Sequence, residues 1–289
     1  MNNRRIVFPA TLLATFFFYQ ILFYKPLFHA QHEPFQMNGQ LSSAAKDIFI
    51  RLGQPEIKTL VDANSFAQAN FIRKGERWEQ QEETPTRRTM KEKETKLFAD
   101  LEKLGMINEV SPSKKHFVYI GLMGGLKERV EIRLKYLEEL VKRGLTFNRL
   151  VLLGGMRELQ DIEKVGLPEE IKQELEMMRY VVDNSSLKNS EIIEVNTPME
   201  QKPDGTQVRP NTDDTIKYFA QIAPQPGAFL VISNNPYTQR QTKVTKRLLD
   251  QEQFPTQGAG PALDAEERDI VMIMDEFART LYEETKAIS

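Results

Sequence analysis

Four short stretches of this chain carry the residue types that hold and activate anionic ligands. Gly124 and Gly125 make the first, and Gly154, Gly155, Arg157 and Glu158 the second. Arg209, Asn211, Thr212, Asp213 and Asp214 make the third; Ser233, Asn234, Asn235, Tyr237 and Arg240 make the fourth. Glycine lets a backbone come close to a ligand and adopt positive φ. Arginine offers a planar fork of donors that matches phosphate or carboxylate. Asn211 or Thr212, opening a helix, would cap it and turn its N–H groups toward an anion. Asp213 and Glu158 are then the candidates for acid–base work, and Asp213 with Asp214 could also hold a divalent cation. Each feature also has a plainer use. Glycines make tight strand-to-helix turns, acids in a first helical turn complement the helix dipole, and the three arginines could pair with Glu158, Asp213 or Asp214.

What the sequence lacks narrows the chemistry. There is no cysteine, so thiolate nucleophiles, thiolate metal sites and disulfides are excluded. Only His29, His32 and His116 are present, too few and too far from the four stretches for a histidine metal site or a histidine base. A carboxylate is the one base on offer. The GLMGGLK run (121–127) has neither the dinucleotide nor the P-loop spacing, and GxSxG and HExxH are absent. The net charge of −2 speaks against nucleic acid. With 40% hydrophobic and 28% charged residues, the composition is that of a globular chain rather than a disordered one.

The elements that must position these residues alternate in type. HFVYIGL (116–122), RLVLLGG (149–155), EIIEVNT (191–197) and AFLVISN (228–234) are nearly continuous apolar runs, as expected of parallel strands covered on both faces. Between the first two, residues 127–144 read as a helix with Val130, Leu134, Leu137 and Val141 on its apolar face. Further helices are expected over 168–180, 212–221, 237–250 and 265–286. This pattern predicts a Rossmann-like, doubly wound, mainly parallel sheet with helices on both faces, spanning 111–289. Ligands bind such sheets beyond the carboxyl ends of the strands, where all four stretches fall. His116 would sit at the opposite end.

Residues 29–110 read as a helical region. Ser42 or Ser43 would cap a short helix bearing Ile48, Ile50 and Leu52, closed by Gly53. A longer helical pattern runs over 55–81, and the charged stretch from Arg73 to Lys96 reads as a solvated helix, with Trp78 docking it. Leu97, Leu101 and Leu104 form a short apolar stripe. Residues 1–28 stand apart: Arg4 and Arg5 precede an apolar run from Ile6 to Tyr24 that is long enough to span a bilayer. An uncleaved membrane anchor with a cytoplasmic N-terminus is the favoured reading; a cleaved signal peptide and a soluble core helix are the alternatives.

The order of these motifs resembles that of the SanA/YdcF-like family of bacterial proteins. The elements that carry the likeness are Gly124 and Gly125, Arg129, Gly154 and Gly155, Asn211 with Thr212 and Thr215, Ser233, and Arg240, in sequence over 116–250. Many members have a histidine between the last strand's serine and the arginine, where this chain has Asn235, Pro236 and Tyr237. No role of that histidine carries over. Asp213 and Asp214 also stand where relatives often have Glu and Asn. The resemblance implies a place in the cell envelope and a link to its integrity or precursor supply, with a nucleotide-type ligand entertained for soluble members.

The combined expectation is a membrane-anchored envelope protein with an anion-binding cleft, acting on a phosphorylated envelope metabolite. A non-catalytic ligand- or partner-binding protein is the alternative, and a nucleotide-cofactor transferase the weaker one, since Glu158 alone could grip a ribose. The cofactor stays open.

Overall fold

The computed structural model describes residues 32–74, 82–222 and 225–288. The expected anchor and Trp78 lie outside them. Among the described residues, no helix is long and apolar enough to cross a membrane.

Among the described residues, the part of the chain before the sheet forms four short helices, the first three with identifiable start signals. Helix α1 (Ser43–Arg51) is capped by Ser42, whose Oγ accepts from Ala45 N, and it ends before Gly53 at φ +77°. Helix α2 (Leu60–Asn70) starts at Thr59, and α3 (Pro85–Glu92) at Thr84 with proline in the first turn. Helix α4 (Glu94–Lys103) follows directly. Of the long helix expected over 55–81, the described residues form α2, which ends at Asn70 with Phe71 as its C-cap; residues 75–81 lie outside the described residues. Ile50 is 53% exposed, and the buried face of α1 is instead Ala44, Ala45, Ile48 and Phe49.

The parallel sheet comes next. Strand β1 (His116–Met123) leads through α5 (Lys127–Lys142) to β2 (Thr146–Gly155). A single turn, α6 (Asp161–Lys164), and then α7 (Glu174–Asp183) lead to β3 (Glu191–Thr197). Helix α8 (Thr212–Ile222), β4 (Phe229–Ile232), α9 (Thr238–Leu248), β5 (Thr256–Ala259) and α10 (Ile270–Ile288) complete it. The five strands are all parallel, in the order β3-β2-β1-β4-β5. This is the α/β architecture expected, with the strand order reversing between β1 and β4.

Alternate residues of each strand serve opposite faces. Ile120, Leu122, Leu150, Leu152, Leu230 and Ile232 meet α5 and α7, while Tyr119, Val151, Leu153, Phe229 and Val231 meet α8 and the end of α9. Burial on both faces explains the unbroken apolar runs. The fifth strand was not expected, because its TQGA sequence is short and polar; it survives as an edge strand paired to β4 alone. Helix α7 begins at Glu174 rather than 168, where Gln173 and Glu176 form a capping box. Helix α10 begins at Ile270, after a 3-10 turn (Ala265–Glu267) capped by Asp264.

Helix α10 returns to the first part of the chain. Its Ile270, Ile273, Met274, Phe277 and Leu281 share one core with α1, α2 and α4. Phe277 stacks against Phe35 at 5.8 Å between ring centroids and lies near Phe49 and Phe71 at 6.0 and 6.5 Å. A fully buried ring with aromatic neighbours on several sides contributes through both burial and ring geometry. Phe277→Ala is therefore expected to cost about 3–5 kcal/mol, read as a shift of the urea midpoint. A loss below 1 kcal/mol would mean that this cluster does not hold the helical layer together.

Candidate functional site

The strand order reverses between β1 and β4, and sheets of this kind receive ligands in the crevice outside the carboxyl ends of the strands at such a point. Arg133 lies there. It stands on the apolar face of α5, one turn after Val130 and one before Leu137, and is 3% exposed. Its Nη1 donates to the carbonyls of Met123 (2.9 Å) and Gly124, which end β1. Its Nε donates to Asn234 Oδ1, just past β4, at 2.8 Å. One guanidinium thus ties both lips of the crevice. Burial, together with the charges of Arg129 and Arg240, pushes its pKa down to about 10. Among the described residues, no carboxylate lies within ion-pair distance of it, although Glu174 is close enough to favour its charge.

The turn above Arg133 needs glycine. Gly125 has φ +156°, and a Cβ there would come 3.3 Å from Arg133 Nη1. A Cβ on Gly124 would meet the Leu153 carbonyl oxygen at 2.8 Å. Gly154 and Gly155 serve packing instead: side chains there would strike Met178 Sδ at 2.9 Å and Pro210 at 2.6 Å.

Three more arginines ring the crevice, each with a glutamate. Arg129, in the first turn of α5, pairs with Glu267 and lies over the Tyr237 ring at 5.7 Å. Arg240, in the first turn of α9, pairs with Glu276 of α10. Burial works against the Arg240 charge, but the Glu276 carboxylate outweighs it and the pKa moves up. Arg157, after β2, grips both oxygens of Glu163 at 2.7 and 2.9 Å and approaches Glu174 at 3.6 Å. Its Nη2 also donates to the Gly125 carbonyl at 3.3 Å.

The two glutamates beside Arg157 are driven apart. Burial alone would raise the Glu163 pKa, but the Arg157 fork and the Gln160 N–H hold it below the ordinary carboxylate range. Glu174 goes the other way. Burial raises its pKa, and the pull of Arg157 does not compensate. One group is fixed as an anion and its neighbour is a readier proton carrier, an arrangement found where acid–base work is done.

The remaining expected residues are distributed around this cluster. Ser233 bonds Gln241, and Asn235 Nδ2 donates to the Asn108 carbonyl from the helical layer. Tyr237 O–H reaches Met272 Sδ at 3.8 Å. Asn211 is the cap of α8: its Oδ1 accepts from Asp213 N at 2.7 Å and Asp214 N at 3.3 Å, and its own N–H donates to Asp214 Oδ2 at 2.9 Å. Thr212 opens the helix. Asp213 pairs with Arg247 at 2.6 Å. Glu158 is exposed, with its backbone bridging Gln173. Arg209 is exposed and has no ion pair among the described residues, though its charge reaches Glu163. Among the described residues, none of Arg157, Arg209 and Arg240 forms the ion pair with Glu158, Asp213 or Asp214 that the sequence left open. Arg157 and Arg240 use Glu163 and Glu276, because a turn of helix and a distant helix bring those carboxylates closer than their sequence neighbours.

Sequence reasoning passed over Arg133, Glu163, Glu174, Glu267 and Glu276. Only Arg133 left a signal, as a charge inside the apolar stripe Val130, Leu134, Leu137. Further polar groups at this edge are unpaired. Asn196 Oδ1 and Thr197 Oγ1 at the end of β3, and Asn235 Oδ1 and Thr238 Oγ1 after β4, are buried without a hydrogen-bond partner among the described residues. Among the described residues, no group of three or more His, Asp or Glu side chains is arranged to hold a metal ion.

The raised Glu174 pKa has a consequence for stability. A carboxyl that holds its proton more tightly folded than unfolded favours the fold below the ordinary carboxylate range, near 4.3, and loses that contribution as pH rises through the folded pKa. Glu174→Gln, which fixes a neutral side chain, should therefore gain stability over wild type at pH 7, with the gap closing as pH falls. Urea midpoints across that range report it, and a gap independent of pH would refute the assignment. No family model matches this chain, and no curated protein or solved structure was found to match it.

Proposed function

We propose that the crevice between the carboxyl ends of β1 and β4 binds a small anion, a phosphorylated compound being the class its side chains suit best. The observation that carries this reading is Arg133, a buried guanidinium with carbonyl and amide partners but no carboxylate at ion-pair distance among the described residues. A cation kept out of water without a counter-ion is costly, and an incoming anion supplies what is missing. Arg129, Arg157 and Arg240 surround that point, and their planar forks fit phosphoryl oxygens. Their present partners, Glu163, Glu267 and Glu276, hold these forks in place until a ligand competes for them.

Catalysis is a second reading, favoured by one observation: the raised pKa of Glu174 beside Arg157. In phosphoryl or glycosyl-phosphate chemistry, a protonated Glu174 would hand its proton to a leaving oxygen while Arg157 faces the developing charge. Glu174 has the stronger claim over Glu158 and Asp213, which are exposed or committed to Arg247. A place at the envelope membrane is supported by the sequence alone, through the apolar run from Ile6 to Tyr24 and the resemblance to the SanA/YdcF-like family.

A thermal-shift screen of phosphate, sugar phosphates, nucleotides and polyprenyl-phosphate analogues, run on wild type and Arg133→Met, tests the anion reading. A ligand at one hundred times its dissociation constant should stabilise wild type by about 2.7 kcal/mol and leave the variant unmoved. Stabilisation that survives in Arg133→Met, or no stabilisation by any compound, would count against it.

A further inference from the structure

The segment that follows β2 separates its charge from its apolar side chains. Glu163 turns inward to Arg157 and also accepts from Gln160 N at 3.0 Å. Ile162 and Val165 turn outward, 79% and 73% exposed, and Met156 at the start of the segment is 40% exposed. Residues three apart on a helical turn share a face, so the two branched side chains stand together. Exposed apolar residues scattered singly are ordinary. This pair differs, because the Arg157 fork and the Gln160 capping box fix the turn that presents it.

The chain enters the fold at the same edge of the sheet. His32 lies beside Gly105 and Gln239: a Cβ on Gly105 would come 2.6 Å from the His32 ring and 2.7 Å from Gln239 Nε2. Glu33 N, next along, donates to the Lys103 carbonyl at 2.8 Å. Gln239 stands in the first turn of α9, directly before Arg240, and so beyond the carboxyl end of β4. Strand β1 lies between β2 and β4, which puts the apolar turn and the point of entry on either side of the arginine cluster. His32 is eight residues on from Tyr24, where the apolar run that begins at Ile6 ends. Eight residues reach at most about 29 Å, roughly the height of the eight-residue β1. A tether of that length keeps the edge at which it enters close to the bilayer.

We infer that the carboxyl edge of the sheet rests on the membrane surface, with Ile162 and Val165 entering the headgroup layer and the ends of β1 and β4 facing it. The inference rests on the place at the membrane proposed above from residues 6–24, and not on what the crevice binds. The bilayer, rather than a protein, is the occupant because the tether brings this one edge to it. An apolar contact at the interface adds affinity with the area it buries. Beside a tether, that contact also gains from a high effective concentration.

The chain has no cysteine, so a single introduced thiol can carry a polarity-sensitive dye. Three full-length variants test the docking: Ile162→Cys, Val165→Cys and, just before β1 at the opposite edge of the sheet, Lys114→Cys. All three positions are exposed, so the dye leaves the core intact. Each labelled chain is reconstituted into phosphatidylcholine vesicles that contain lipids with a nitroxide on the acyl chain. Emission at 162 and 165 should shift to the blue and be quenched by the nitroxide, and emission at 114 should do neither. A vesicle-bound chain whose dye at 162 and 165 behaves like the dye at 114 would overturn the docking and leave the anchor standing. A chain that carbonate washes from the vesicles would overturn both.

Discussion

Arg133 takes a guanidinium out of water and spends it on the backbone ends of two strands. An unpaired buried charge carries a penalty of several kcal/mol, so the surrounding structure must supply acceptors in fixed places. The Met123 and Gly124 carbonyls do so because β1 ends there in a glycine turn, and Asn234 does so because β4 ends opposite. The bond set is local to the point where strand order reverses. Much of what lines the crevice follows from it. Gly125 must remain without a side chain, Glu174 is largely buried beside Arg157, and the charges of Arg129 on α5 and Arg240 on α9 both bear on Arg133, so they call for carboxylate partners.

The helical layer answers that last requirement. Glu276 of α10 and Glu267 just before it reach across to Arg240 and Arg129, and Asn108 reaches Asn235. Further along the same contact, Arg247 joins Glu283 and Asp213. The layer is fixed internally by the aromatic cluster around Phe277 and externally by these charged contacts. Exposed ion pairs add little to stability. Those at the crevice are mostly buried, and their main effect is to hold guanidinium groups in one orientation.

The sheet was legible in the sequence because its strands are buried on both faces and read as continuous apolar runs between glycine turns. Strand β5 was not, since an edge strand paired on one side can be polar. The loops that hold Arg157 and Asn234 and lead to Arg240 were also legible, because turn residues mark strand ends. Their carboxylate partners were not. Glu163 lies on an isolated helical turn, and Glu276 lies on a helix whose docking is a long-range packing event with no local trace. Arg133 could have been found: a charge embedded in an apolar helical stripe is expensive enough to demand a reason.

Two of the crevice's counter-ions, Glu267 and Glu276, come from late in the chain. Every strand of the sheet, and all four of its arginines, precede Glu267 and Glu276 in sequence. During synthesis the sheet can therefore assemble while Arg129 and Arg240 still lack their carboxylates and while the core of the early helices lacks Phe277. Domains fold as units as they emerge; here the helical layer must wait for its final member, and the charge balance of the crevice waits with it. A nascent chain at that stage presents an electropositive, unfinished pocket, so the same helix that closes the hydrophobic core also switches the pocket to its mature electrostatic state.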